Sequence, residues 1–267
     1  MMIFGGFAAF AQGANDSTPS GTTDTMAIET GAFTSISLSG LDSVRIIPGN
    51  DDALSISGDT AYLNNVEWTN TNGMLSVGTD FSATVPLDVT VTVKDLDGLR
   101  LENGTRAVID AMDAGDDLSL FIEEDSELST NGALEVGILS VYNKRGFGGS
   151  LEVKADQLFF ESNHGLLDLQ GQSTMISGRL MGSADANITA SVQQGDFDLS
   201  NTSALEAQLP GLSAVSISSN QDASASISMN GRVRAMGYGD SSIKVTGSVK
   251  SDRVYEDDDA SVVVRNS

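Results

Sequence analysis

The segments TSISLSG at residues 34–40, ALSISGD at 53–59 and DVTVTVK at 88–94 alternate apolar and polar residues with a period of two. Such alternation is typical of β-strands that bury one side. Glycine, asparagine and aspartate separate these runs, as expected where turns need positive φ or Asx geometry. Sustained helical periodicity is absent, and only residues 60–68 could form a helical turn or two. The sequence therefore predicts an all-β protein.

A repeat of about 19 residues favours a solenoid over a sandwich. Steps of about this length from Leu101 give a first column in which eight of nine positions are apolar: Leu101, Leu120, Leu139, Leu158, Ser177, Phe197, Ile217, Met236 and Tyr255. Steps that vary more in length give a second column that is aliphatic throughout: Val108, Leu128, Leu151, Leu167, Ile188, Leu205, Ile227, Ile243 and Val262. Polar or glycine-rich corners lie between the columns, for example NGT at 103–105 and FGG at 147–149.

These columns predict a right-handed parallel β-helix with coils of about 19 residues. Stacked coils bury apolar side chains that one coil could not bury alone. Residues 96–267 would form the regular coils, and residues 33–95, with irregular spacing, an N-terminal β cap or the first, poorly matched coils of the same domain. The alternative on the pattern alone is an antiparallel sandwich.

The first eleven residues, MMIFGGFAAFA, are apolar but too short to cross a bilayer as a helix. Ala9-Phe10-Ala11 matches the small-x-small pattern that precedes signal-peptidase cleavage, which would make Gln12 the first mature residue. Residues 12–32 are rich in Ser, Thr, Gly and Asp and predict a flexible leader. We therefore expect an exported protein located in the periplasm, on the cell surface or outside the cell.

The charge composition excludes several classes of function. The 267 residues contain 37 Asp and Glu against 14 Lys and Arg, for a formal net charge of −23. A surface of this charge repels phosphate backbones, so nucleic acid is not an expected partner. With no cysteine and one histidine, His164, disulfides, thiolate nucleophiles and multi-histidine metal sites are excluded. No apolar run is long enough to span a bilayer, and the chain is not expected to be an integral membrane protein.

Residues 33–93 also carry a family resemblance. They read FTSISLSGLDSVRIIPG, then ALSISGD, VEW, NGMLSV and a closing VTVTV. This order resembles the start of the bacterial head GIN domain family, also called "putative auto-transporter adhesin", with matching places at Phe33, Ile36, Gly40, Val44, Ile46, Gly49, Gly73, Leu75 and Val77. The resemblance extends over residues 33–267, although only GYGD at 237–240 comes close to the family's repeated G-(S/A)-G-D corners. It implies an exported β-helical protein with an adhesive or binding role, and it brings no catalytic residues.

Acidic residues are the only abundant candidates for catalysis: Asp110, Asp113, Asp116, Asp117, Glu123, Glu124 and Asp125. A glycosidase needs two carboxylates flanking the bond it cleaves, but a chain of this charge places acidic groups together anywhere. His164 precedes a glycine and predicts a turn residue rather than an acid–base catalyst. Asp257, Asp258 and Asp259 predict protection of a terminal edge rather than a cation site. We therefore predict no catalytic, cofactor-binding or metal-binding residues and no cofactor.

Aromatic residues, on which sugars stack, give no clear pattern. Trp68 and the four tyrosines, Tyr62, Tyr142, Tyr238 and Tyr255, do not form a stripe at coil spacing. The function we predict is an exported, non-enzymatic, adhesin-like binding or structural module of the cell envelope, with a cell-surface or envelope polysaccharide or protein as partner. Two alternatives stay open: a polysaccharide hydrolase or lyase on the same scaffold, and a periplasmic carrier of a small lipidic ligand.

Overall fold

The computed structural model describes residues 21–79, 85–146, 148–257 and 259–266. The signal peptide predicted for Met1–Ala11 lies outside these residues, as do positions 12–20 of the predicted leader. Strands make up 77% of the structure and helix 2%, which confirms the all-β class. The one helix in the described part of the chain, α1, covers Thr60–Leu63.

The strands fall into an irregular N-terminal set and a regular set. The N-terminal strands are β1 (Thr23–Ile28), β2 (Ser35–Ser39), β3 (Leu41–Pro48), β4 (Ala53–Asp59), β5 (Val66–Thr71), β6 (Met74–Thr79) and β7 (Val85–Val93). The regular strands are β8 (Gly98–Glu102), β9 (Arg106–Asp113), β10 (Asp117–Glu123), β11 (Glu127–Lys144), β12 (Gly148–Leu199), β13 (Ala204–Leu209), β14 (Ala214–Asn220), β15 (Ser224–Met229), β16 (Gly231–Tyr238), β17 (Ser242–Gly247), β18 (Val249–Glu256) and β19 (Ser261–Asn266).

Parallel pairing stacks the strands into two columns, which makes the fold a parallel β-solenoid. Column A contains β6, β2, β8, β10, residues 138–144 of β11, residues 157–162 and 194–199 of β12, β14, β16 and β18. Column B contains β7, β3, β9, residues 127–135 of β11, residues 148–154 and 185–189 of β12, β13, β15, β17 and β19. Each coil adds one strand to each column, so the predicted solenoid is confirmed and the sandwich alternative is wrong.

The core lies between the two columns and follows directly from the alternation. Along β13 and β15 every second residue is buried, and the residues between them face the solvent. Stacked aliphatic residues such as Leu99, Leu120 and Val141 are 0% exposed. Backbones of successive coils approach so closely at some positions that only glycine fits, because a Cβ on Gly149 would lie 1.6 Å from the carbonyl oxygen of Leu128, its partner on the preceding coil.

The predicted columns are right in period and partly wrong in position. Leu139 pairs with Leu158, Phe197 with Ile217, and Ile243 with Val262, as predicted. Leu101, however, pairs with Ile122 rather than Leu120, because the first regular coils are longer than the assumed step. Val108, placed in the second column, is 37% exposed and pairs with Ser129. Corners of unequal length shift the register by one or two positions, and a prediction that assumes a constant number of residues per coil misses these shifts.

The N-terminal coils do not stack in chain order. Strand β2 lies between β6 and β8, and β3 lies between β7 and β9. The coil formed by β2 and β3 is therefore first in the sequence but second in the stack. The later strands β6 and β7 form the end coil on one side of it, and β8 and β9 form the next coil on the other side. Asp52 holds this crossing together, since its carboxylate accepts hydrogen bonds from the Phe33 and Lys94 amides at 3.0 and 2.8 Å.

Antiparallel strands close this end of the solenoid, and they are the predicted β cap. Strand β4 pairs with β7, β1 pairs with β4, and β5 pairs with β6, all antiparallel. Residues 23–28 thus form a strand within the segment predicted as a flexible leader, because the edge of β4 offers them hydrogen bonds. A closed end limits edge-to-edge association with other chains.

Candidate binding face

The acidic candidates from the sequence lie on different sides of the coil. Asp110 is on column B, where Arg45 binds its carboxylate through two nitrogens at 2.7 to 3.2 Å. Asp116 and Asp117 are at the corner that leads from column B into column A. Glu124 and Asp125 occupy the opposite corner with φ of 51° and 62°. Proximity in sequence therefore does not bring these carboxylates together at one site.

Glu123 belongs to a partly buried ion triad on column A. Arg100 donates from Nη2 to Glu123 Oε2 at 2.8 Å and contacts Glu102 Oε1 at 2.9 Å. The three side chains are 13 to 20% exposed. Burial raises the pKa of Glu102, while the positive charge of Arg100 opposes the rise. Arg100 and Glu102 are both on β8 and Glu123 is on β10, so the bond between Arg100 and Glu123 ties adjacent coils to each other.

His164 lies at an exposed corner and lines a cavity of about 500 Å³. Glu123, Lys144 and Arg145 line the same cavity. Stacking places Lys144 over Glu123, so the basic pair lies beside acidic residues that are distant in sequence. Arg232 and Arg234, two further basic residues close together in the sequence, lie away from this corner: Arg232 is 4.0 Å from Asp252, and Arg234 stacks over Ser216.

The glycine corner at 237–240 and the acidic run after it hold each other in place. Asp257 accepts hydrogen bonds from the Gly239 amide at 3.0 Å and the Ala260 amide at 3.3 Å. Asp258 lies outside the described residues. Within the described ranges, no group of three His, Cys, Asp or Glu residues has the arrangement to hold a metal ion.

The outward side of column A is here called face A. It carries a group of aromatic residues that the outward side of column B does not have. Phe121 stacks on Tyr142 with ring centroids 4.9 Å apart and ring planes 15° apart. Phe159 lies on the neighbouring outward row, directly over Ser140. All three rings are half-buried. Alternation produces this arrangement, because Leu120, Val141 and Phe160 point into the core beside them.

Two adjoining grooves run along face A on either side of these rings. The first has a volume of about 900 Å³ and is lined by Phe121, Tyr142 and the corner aspartates Asp95, Asp97, Asp116 and Asp117. The second has a volume of about 590 Å³ and is lined by Tyr142, Phe159, Glu161, Arg179, Asp196, Asp198 and Met236, among others. Ser140 and Tyr142 line both, so the grooves form one surface along the solenoid axis.

A family model agrees with this architecture. The family "Putative auto-transporter adhesin, head GIN domain" matches residues 32–248, more than three quarters of the chain. The chain belongs to this family. The resemblance predicted from residues 33–93 is thereby confirmed, with a match that ends before β18 and β19. Among curated proteins, none matches the chain.

Solved structures show how widely the head GIN solenoid is shared at low sequence identity. A "putative adhesin" from Parabacteroides merdae has a TM-score of 0.63 at 17% identity, covering 92% of this chain and 98% of its own. A "putative adhesin" from Parabacteroides distasonis has a TM-score of 0.64 at 13% identity, covering 93% and 98%. A "putative lipid binding protein" from the same species has a TM-score of 0.61 at 14% identity, covering 88% and 98%. These likenesses support the fold of the head GIN chain.

Sequence reasoning missed the aromatic part of face A because it considered only tryptophan and tyrosine. Phe121 pairs with Tyr142 one coil later, and Phe159 follows in the next coil on the adjacent row. Including phenylalanine at coil spacing would have found the head GIN chain's aromatic group. Trp68, in contrast, lies on the cap strand β5 and is 38% exposed.

Proposed function

We propose that this head GIN chain is an exported, non-enzymatic, adhesin-like module of the cell envelope that binds a cell-surface or envelope polysaccharide on face A. The observation that carries the proposal is the pair of adjoining grooves with Phe121, Tyr142 and Phe159 between them. Half-buried aromatic rings beside hydroxyl and carboxylate acceptors suit a ligand that is partly apolar and rich in hydrogen-bond donors.

The length of the surface favours a polymer over a small molecule. The lining residues follow the coils from Ser119 through Ser140, Phe159, Ser177, Asp196 and Ser216 to Met236. These are six coil steps of about 4.8 Å, or about 30 Å in all. A surface this long and open offers many weak polar contacts rather than one enclosed pocket.

A polysaccharide hydrolase is the second candidate, because Glu161, Asp196 and Asp198 line the smaller groove. Such enzymes need one carboxylic acid kept protonated beside a second, ionised carboxylate. Asp198, however, faces Arg179 at 3.7 Å, and Glu102, whose pKa is raised by burial, is held by Arg100 outside both grooves. The binding role is therefore better supported than hydrolysis.

A lipid carrier receives less support. One protein of similar fold is named a "putative lipid binding protein", but a carrier needs an enclosed apolar cavity. Between the columns the described interior is filled with stacked aliphatic side chains such as Leu139 and Leu158, 0% and 4% exposed.

Binding to immobilised envelope polysaccharide tests the proposal. The full chain with Tyr142→Ala and Phe159→Ala is expected to bind about tenfold more weakly, because the aromatic contacts at the centre of the face are lost. Trp68→Ala is the matched control, since this exposed tryptophan lies on the cap strand β5, outside both grooves, and should leave binding unchanged. Equal binding by all three proteins would exclude face A, and release of reducing ends from the polysaccharide would favour the hydrolase.

Export is tested separately. Cleavage after Ala11 predicts that protein recovered from the periplasm or medium begins at Gln12. Mass spectrometry of the N-terminal peptide measures this directly. Recovery of the chain in the cytoplasm with its apolar N-terminus intact would contradict export.

A further inference from the structure

The charges along face A narrow the kind of polysaccharide that it can bind. The larger groove is lined by four aspartates and no basic residue among its described lining. The smaller groove has three carboxylates and one cation, Arg179. The two grooves together therefore carry seven carboxylates against one guanidinium, and all of them border a surface whose centre is aromatic.

Internal ion pairs neutralise little of this charge. Asp198 has Arg179 at 3.7 Å, and Asp95 has Lys94 at 4.0 Å with both side chains at least 65% exposed. No salt bridge in the described ranges reaches Asp97, Asp116 or Asp117. On column B, by contrast, Asp110 and Glu135 are each paired with a cation at 2.7 to 2.8 Å. Five of the seven groove carboxylates, Asp97, Asp116, Asp117, Glu161 and Asp196, thus have no salt bridge within the described ranges.

We propose that the polysaccharide bound on face A carries free amino groups, an inference that rests on the proposed function. Protonated amines on the sugar rings would pair with the groove carboxylates through charge-assisted hydrogen bonds. Ammonium groups are also attracted to the faces of aromatic rings such as Tyr142. Uronic or sulfated chains would be repelled, because they bring like charge to an already acidic surface.

The spacing of the coils favours a sugar chain over a basic peptide. Outward residues repeat along face A about every 4.8 Å, and an extended chain of pyranose rings advances by a similar distance per ring. An extended peptide places side chains of one face about 6.8 Å apart, so its lysines would fall out of step with the coils. Each amino sugar could instead meet one coil.

Binding of defined oligosaccharides to the full chain tests the inference. The probes are a β-1,4-linked glucosamine hexamer and its fully N-acetylated counterpart, compared by titration calorimetry in the same buffer. The amine form is expected to bind at least tenfold more tightly. Asp116→Asn with Asp117→Asn should weaken its binding about tenfold, and Asp95→Asn with Asp97→Asn provides a second groove variant should the first fold poorly.

The control must distinguish binding in the grooves from the nonspecific attraction of a cationic sugar to a protein of net charge −23. Glu152→Gln with Glu206→Gln removes the same two charges from exposed positions of column B and should change affinity less than twofold. Equal losses in groove and control variants would overturn the inference, as would equal or tighter binding of the N-acetylated hexamer.

A lysine hexapeptide separates sugar from peptide. Weaker binding than the glucosamine hexamer supports the inference, and binding as tight with the same sensitivity to Asp116→Asn would overturn it. Failure of all hexamers alongside loss of envelope binding in the Tyr142→Ala and Phe159→Ala variant would overturn the amine requirement while leaving the proposed function in place.

Discussion

The two columns share one ladder geometry, yet their outward faces differ. Face A has grooves, stacked rings and an arginine enclosed by two carboxylates. Column B instead exposes small polar rows such as Ser224 over Ser242, and the groove of about 560 Å³ that its ion pair Lys154 with Glu135 lines has no aromatic residue among its described lining. The interior requires only that alternate residues be apolar and fit their neighbours. The outward positions are free of that requirement, so they are where the two faces can acquire different roles.

The largest expected effect comes from a glycine inside column A. A Cβ on Gly178 would lie 2.1 Å from the tip of the Phe160 ring, which is itself buried and 6.4 Å from the Phe197 ring. Gly178→Ala should therefore lower the free energy of unfolding by about 2–3 kcal/mol, measured by urea denaturation.

Two further variants sharpen this test. The double variant Gly178→Ala with Phe160→Leu should be at least about 1 kcal/mol more stable than the sum of the two single effects predicts, because leucine has no ring atom at the position of the new Cβ. Ser226→Ala, at an exposed position of column B, should stay within about 0.5 kcal/mol of the unmodified protein. A Gly178→Ala protein as stable as the Ser226→Ala protein would show that column A is not packed as described.

Arg100 and Arg45 both pair with carboxylates, but the Arg100 side chain is mostly buried and the Arg45 side chain is mostly exposed. Arg100→Met leaves Glu102 and Glu123 partly buried without their shared cation, which should cost about 2 kcal/mol. Adding Glu123→Gln should recover part of this loss, since one of the opposing charges is removed. Arg45→Met should lower the melting temperature far less, because the Arg45 side chain is 59% exposed and water screens its bond to Asp110. Equal losses in melting temperature would remove the distinction between the faces.

The sequence predicted the coils better than their order or their surface. Alternation and a regular coil spacing are local properties, and they identify the strands, the corners and most inward positions. Ile36 pairs with Leu99, which lies beyond five intervening strands, and no local pattern distinguishes this leucine from others at strand centres. The grooves were harder still to predict, because Asp97, Asp117 and Tyr142 meet only once the register of three coils is known.

The smallest expected effect is a difference in pH dependence between one carboxyl group on each column. Burial raises the pKa of Glu102, so the folded state binds this proton more tightly than the unfolded state. The contribution of Glu102 to stability should therefore grow as the pH falls through its raised folded pKa toward its ordinary value of 4.5. Glu102→Gln, which cannot titrate, should stabilise the protein relative to the unmodified chain near neutral pH and lose that advantage on acidification.

Asp110 should behave in the opposite way. The hydrogen bond from Arg45 lowers the pKa of Asp110, so its contribution is present above the ordinary value of 3.8 and is lost as the pH falls through the lower folded pKa. Asp110→Asn should then destabilise the protein slightly near neutral pH and have little effect in strong acid, and added salt should reduce the difference. Urea denaturation of both variants across this pH range measures the two slopes. Opposite slopes would show that burial dominates the titration of Glu102 while the bond from Arg45 dominates that of Asp110, and parallel slopes would mean that the two carboxyl groups share one electrostatic environment.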